Sequence, residues 1–301
     1  MGENLVEGQT LRGAGRLVDY SNLVKLPHTV FALPFALVGA IIASYRYTVG
    51  VSDIGWILLA FTSARFAAMG FNRIVDRSVD ALNPRTRMRE LPTGRLTVKQ
   101  ASAAVVLASA LFLLSAGMLN RLCLLLAPLA LGWVLVYSYT KRFTRWAHLV
   151  LGFALAIAPV GAYLAVAGEW SSPAWALLAL AGAVLCWVAG FDILYSLQDE
   201  RFDREHGLHS VPAAFGAVGA IRISRLLHVA CVALFVATGL LFTELGLLYD
   251  LGVGICAAML VYEQSLVRAN DLSRLDAAFF TINGVISVAL AVLVLAERAL
   301  A

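Results

Sequence analysis

The chain has 301 residues, 60% hydrophobic and only 14% charged, with a formal net charge of +4. A soluble domain is nearer about 45–50% apolar and about 25% charged, so composition argues against a soluble enzyme. No basic stretch interleaves with aromatic residues, which argues against a nucleic-acid surface and leaves an integral membrane domain as the expectation.

The apolar residues come in runs of roughly 20, enough to cross a ~30 Å hydrocarbon core as helices. In chain order the runs predict helices near 26–45, 54–78, 97–119, 121–139, 147–168, 174–200, 217–243, 245–267 and 275–297. This is an all-α polytopic fold of about nine transmembrane helices around a central cavity, with 1–301 as a single membrane-embedded domain. Residues 1–25 carry Arg12, Arg16 and Lys25 but no apolar core of signal-peptide type, and read as a cytoplasmic tail. Pro34, Pro128 and Pro159 fall inside runs, where neighbouring helices or water satisfy the freed carbonyls. Cys123, Cys186, Cys231 and Cys256 each stand alone in apolar sequence and read as small packing residues.

Lys and Arg orient the bundle. They crowd the tail and the segments after the second, fourth, sixth and eighth runs (Arg85, Arg87, Arg89 and Lys141 among them), whereas the opposite connections and the C-terminus hold only Arg46, Arg121 and Arg298. The positive-inside rule then predicts a cytoplasmic N-terminus and an outer C-terminus. The openings Gly70-Phe71-Asn72 and Gly190-Phe191-Asp192, each ahead of a long cytoplasmic connection, are compatible with a diverged internal duplication.

The second run ends in Asn72, Asp76 and Asp80, spaced by four and therefore one stripe on a helix. The sixth ends in Asp192, Asp199 and Asp203, which an unbroken helix would also put on one face. Acids at the end of a membrane helix are costly and tend to face an interior or a wet cavity. Two facing rows of carboxylates repel unless a cation lies between them. Magnesium suits, because it is usually held by one or two carboxylates together with substrate phosphates. Arg85 and Arg89 after the first row, and Tyr137, Lys141 and Arg142 in a Y-x-x-x-K-R stretch, add phosphate donors. A solvated rim of mixed charge is the plain reading of any single acid here. It does not suit Asp192, which lies two turns inside its run.

These residues resemble the UbiA superfamily of intramembrane aromatic prenyltransferases. The family's N-x-x-x-D-x-x-x-D motif is matched by Asn72, Asp76 and Asp80, its D-x-x-x-D motif by Asp199 and Asp203, and its Y-x-x-x-K element by Tyr137 and Lys141. Asn83-Pro84-Arg85-Thr86, Leu91-Pro92-Thr93-Gly94 and Lys141-Arg142-Phe143-Thr144 look most like 4-hydroxybenzoate polyprenyltransferases of quinone biosynthesis, while Glu90 and Arg145-Trp146 depart from that pattern. The resemblance implies transfer of a polyprenyl group from its diphosphate to an aromatic acid, with Mg2+ as cofactor and the tail lying in membrane lipid. Asp76, Asp80, Asp192, Asp199 and Asp203 would be catalytic. Asn72 and the four acids of the two motifs would hold the metal. Asn72, Arg85, Arg89, Tyr137, Lys141 and Arg142 would hold the diphosphate. Arg65, seven residues before Asn72 and deeper in the membrane, should meet an anion. It is assigned with Tyr195 to the aromatic substrate, against an internal pair with Asp192. His28, His148, His206 and His209 read as interfacial or capping residues. The rival readings are other prenyl transfers of the same superfamily (naphthoate, haem or lipid acceptors), an ion-coupled transporter, and an intramembrane aspartyl protease.

Overall fold

The computed structural model describes residues 15–25, 29–171, 173–272, 274–275 and 281–301. They form eleven α-helices: α1 (Arg16–Leu23), α2 (Thr29–Ser44), α3 (Val51–Leu82), α4 (Val98–Leu119), α5 (Arg121–Val136), α6 (Ala147–Ala167), α7 (Ala174–Tyr195), α8 (Glu200–Glu205), α9 (Val211–Leu241), α10 (Leu247–Leu266) and α11 (Asn283–Leu300). Among the described residues eight stretches are long and apolar enough to cross a membrane, and Ala32–Ser44 is a shorter apolar helix, so roughly nine helices stand as expected. Arg12, His28, the first residues of the expected 26–45 helix and 276–280 of the expected 275–297 helix lie outside the described residues.

The helix starts are set by local chemistry. The Gly50 N–H donates to Asp53 Oδ2 (2.8 Å) and opens α3. Thr97 and Gln100 bond reciprocally at the start of α4, Gln100 N–H to Thr97 Oγ1 at 3.2 Å and Thr97 N–H to Gln100 Oε1 at 3.0 Å. Asn120 Oδ1 caps α5 through the Cys123 N–H (2.8 Å). At 32 residues α3 is far longer than a bilayer core requires. At 1.5 Å per residue it is ~48 Å long, so its polar last turns project beyond the hydrocarbon.

Three of the boundaries that differ from the sequence expectation bear on the site. The fourth run leaves α geometry at Val136 and continues as a 3-10 turn, Tyr137–Arg142. The sixth leaves it at Tyr195, passes through a 3-10 turn, Ser196–Asp199, and resumes as α8. Side chains bonded to nearby carbonyls accompany both tightenings: Thr140 Oγ1 donates to Tyr137 O (2.5 Å) and Ser196 Oγ to Ile193 O (2.8 Å). The angular argument that put Asp192, Asp199 and Asp203 on one helical face therefore does not hold. The turn carries Asp199 and α8 carries Asp203, rather than one unbroken helix. The third difference is α9, which begins six residues early because a non-helical Gly216 (φ 68°, ψ 171°) joins a short turn to the main helix.

The core is built from α2, α6, α7, α9, α10 and α11, with Trp187, Phe35, Phe235 and Tyr249 fully buried at its centre. Close helix approach needs small residues, as is usual in membranes. At Gly39 an added Cβ would lie 1.9 Å from the Pro159 carbonyl oxygen of α6. Part of the expected tail folds back: α1 delivers the buried Leu23 and Val24 to a small cluster with Leu96 and Ala101, and Arg73 Nε donates to Leu23 O (3.3 Å).

Candidate active site

One cavity of about 260 Å³ opens between α3, α6, α7 and the two 3-10 turns. Its lining includes every candidate site residue except Arg142: Arg65, Asn72, Asp76, Asp80, Arg85, Arg89, Tyr137, Lys141, Asp192, Tyr195, Asp199 and Asp203. The polar residues gather at one end. Ala32, Leu151, Leu155, Trp187, Val188 and Phe191 form apolar wall. Both acid rows thus face one space, although they reach it by different backbone geometry.

The first row lies on the last turns of α3. Asn72 Nδ2 donates to Asp76 Oδ2 (2.9 Å), and Arg142 Nη2 donates to Asp76 Oδ1 (2.9 Å), so Arg142 joins the site through Asp76. Asp80 is buried and accepts from Arg89 Nη1 (2.7 Å). In the second row, Asp199 receives a fork from Arg85, Nε to Oδ1 at 2.9 Å and Nη2 to Oδ2 at 2.5 Å. Asn83 Nδ2 donates to the same Oδ1 (2.9 Å), and Asn83 Oδ1 accepts the Arg85 N–H (2.9 Å). The Asn-Pro-Arg loop after α3 is therefore the strap joining the first row to the second. Lys141 lies within the field of Asp203, Asp199 and Asp192, and Tyr137 within that of Asp192, Asp76, Arg73 and Arg65.

Two buried carboxylate oxygens on the cavity, Asp80 Oδ2 and Asp203 Oδ2, have no hydrogen-bond partner among the described residues. Such acceptor-only oxygens suit a hard divalent cation. No three His, Cys, Asp or Glu side chains among the described residues converge closely enough to hold a metal alone. The donor set fits an ion whose coordination is completed by phosphate and water, the habit of magnesium.

The deeper residues sort differently from the sequence expectation. Arg65 lies ~10 Å farther into the bilayer than Asn72 along α3 and borders Tyr137. Tyr195 sits toward the polar end instead. Arg85 lies over its ring at 5.5 Å, Lys25 at 5.9 Å, and Arg85 Nη1 is 3.5 Å from its hydroxyl. Asp192 pairs with His148, Nδ1 to Oδ2 at 2.6 Å, and His148 is fully buried, so this histidine is neither interfacial nor a simple cap. Lys25, Asn83 and His148 are the site residues that motif reading did not select. Asn83 stood in a quoted family-like stretch. Lys25 and His148 had no signal beyond being ionisable near a helix end.

Glu90, one departure from the family pattern, is buried in the loop after α3 with Oε1 unpartnered among the described residues. Burial raises its pKa, partly opposed by a hydrogen bond with its own backbone and by Arg73, Arg95 and Arg89.

Facing acid rows, paired arginines and an apolar chamber inside a bundle of membrane-length helices define an intramembrane enzyme. Residues 32–285 match the model of the UbiA prenyltransferase family, and the chain belongs to that family of prenyltransferases. It is 31% identical over 274 residues to a 4-hydroxybenzoate octaprenyltransferase of Nitrosospira multiformis, covering 90% of this chain and 92% of that one. The same enzyme of Citrobacter koseri is also 31% identical over 274 residues, covering 89% and 92%. Among solved structures, a UbiA homolog from Aeropyrum pernix K1 superposes with a TM-score of 0.80 at 35% identity, covering 91% of this chain and 98% of that one. A UbiA homolog from Archaeoglobus fulgidus bound to GPP and Mg2+ gives 0.71 at 22% identity, covering 93% and 99%.

Proposed function

We propose that the protein transfers a polyprenyl group from polyprenyl diphosphate to an aromatic acid resembling 4-hydroxybenzoate, in quinone biosynthesis, with magnesium as cofactor. The observation that carries this reading is a shared cavity with acids and arginines at one end, apolar wall beyond them, and Arg65 at depth. The names of the Nitrosospira and Citrobacter relatives support the acceptor, and the ligands of the Archaeoglobus homolog support the donor and the ion.

Asn72, Asp76, Asp80, Asp199 and Asp203 would hold magnesium, which when bound neutralises the diphosphate and eases cleavage of the allylic C–O bond. Arg85, Arg89 and Arg142 receive the diphosphate oxygens, exchanging part of their present pairing with the acids for phosphate, and Lys141 adds a further cation. Tyr137, in the same 3-10 turn as Lys141 and lining the same cavity, adds a hydroxyl donor. Tyr195, beside Arg85, closes the ring-binding space from the polar side, and Arg65 binds the carboxylate of the aromatic acid. The apolar walls exclude water, which would otherwise capture the allylic cation before the ring does. The polar end faces the cytoplasm, with the N-terminus inside and the C-terminus outside a bacterial inner membrane, a reading that the distribution of Lys and Arg supports.

The test is purified protein in lipid with a labelled polyprenyl diphosphate and a panel of aromatic acids, with and without magnesium. Magnesium-dependent label on the ring of a 4-hydroxybenzoate-type acid is the expected result. Label on a haem, naphthoate or glycerol-lipid acceptor alone would contradict the proposed substrate.

A further inference from the structure

Alkylation of an aromatic ring leaves a proton to remove, and the cavity holds one acid suited to accept it. Asp192 lies on α7 and lines the chamber between the diphosphate end and the apolar depth. It is not a member of either metal-binding motif. Its Oδ2 is engaged by His148 Nδ1 at 2.6 Å, while Oδ1 has no hydrogen-bond partner among the described residues and the side chain stays 23% exposed to the cavity. His148 itself is sealed off at 0% exposure. The Val211 N–H at the start of α9 points to its Nε2 at 3.4 Å. A backbone N–H can only donate, so Nε2 is the accepting nitrogen and the ring proton sits on Nδ1, facing Asp192. The α9 backbone thereby sets the tautomer, and the tautomer sets the carboxylate.

We propose that His148 is a positioning residue that aims Asp192 Oδ1 at the aromatic substrate, and that Asp192 is the proton acceptor of the transfer. The inference rests on the aromatic acceptor proposed above. In the step, the C–O bond to diphosphate breaks with its electron pair leaving on the phosphate oxygen, and a C–C bond forms from ring to prenyl carbon. The C–H bond at that ring carbon then breaks. Its electrons restore the aromatic ring, and its proton goes to Asp192 Oδ1. The charged and titratable groups around Asp192 are Tyr137 and Lys141 from the 3-10 turn and His148 from α6. Of these, the buried imidazole alone is bonded directly to the carboxylate among the described residues.

The experiment compares wild type, His148→Leu, His148→Asn and Asp192→Asn on 4-hydroxybenzoate carrying hydrogen or deuterium at the alkylated ring position. Well-placed acceptance makes proton loss fast, so wild type should show an isotope effect near unity. His148→Leu should lower kcat by roughly 10- to 100-fold, toward the lower end of general-base contributions, and should raise the isotope effect clearly above unity. His148→Asn keeps an N–H where Nδ1–H stood and should recover most of both. Asp192→Asn should show the largest loss. An unchanged isotope effect in His148→Leu, or an Asn variant no better than the Leu variant, overturns the proposal. If no protein, wild type included, prenylates an aromatic ring, the functional reading fails and this proposal with it, a result distinct from both.

Discussion

At the scale of single residues, charge pairing inside the bilayer decides most assignments. Arg65 borders Tyr137 on the cavity, within the apolar span of α3. Arg65→Leu should raise the apparent KM for the aromatic acid by about 10- to 100-fold, the worth of a charge-assisted hydrogen bond, and should leave that for the diphosphate nearly unchanged. Equal rises for both substrates would place Arg65 in the diphosphate site. Glu90 makes a pH prediction. Its folded pKa is raised above the usual 4.5 by burial, so the stability it contributes is full below the unfolded pKa and is lost as pH rises through the folded one. Thermal melts in detergent should therefore fall for wild type as pH rises above the usual carboxylate range. Glu90→Gln should flatten that fall, and parallel curves would show that this carboxyl does not titrate with folding.

At the scale of elements, the site is made where helices stop being regular. The motif spacings of Asn72, Asp76 and Asp80 were readable because α3 stays α-helical through Leu82. Asp199 and Asp203 were readable as a motif but not as a face, since the 3-10 turn at Ser196–Asp199 is set by local side-chain bonds that hydrophobic period does not reveal. The salt bridges Arg85–Asp199 and Arg89–Asp80 join residues whose loop path no periodicity predicts. His148 reads from sequence as an interfacial or capping residue for the same reason: its importance comes from Asp192, 44 positions away. The break at Gly216 is a further case. Its φ of 68° and ψ of 171° belong to a region nearly exclusive to glycine. Gly216→Ala should destabilise the fold by about 1–3 kcal/mol, read as a lower melting temperature, with a shift in the Val211 end that holds His148. A variant as stable as wild type would mean that this junction relaxes without strain.

At the scale of the whole molecule, composition and apolar run length were enough for the membrane class and the roughly nine helices, because a bilayer admits so few spanning solutions. Tail length and oligomeric state left no mark on the sequence, since lipid-facing and partner-facing apolar surface look alike to a residue count. What the bundle achieves is to bring two rows of acids, more than a hundred residues apart in sequence, to one cavity. The account stands on their serving one ligand. The direct measurement is a double-mutant cycle on magnesium-dependent binding of a non-cleavable polyprenyl thiodiphosphate to wild type, Asp76→Asn, Asp199→Asn and the double variant. If both rows grip one metal-bound diphosphate, each single change should cost most of the affinity and the double change little more. Losses that simply add, or a single variant that binds as wild type does, would contradict the shared site.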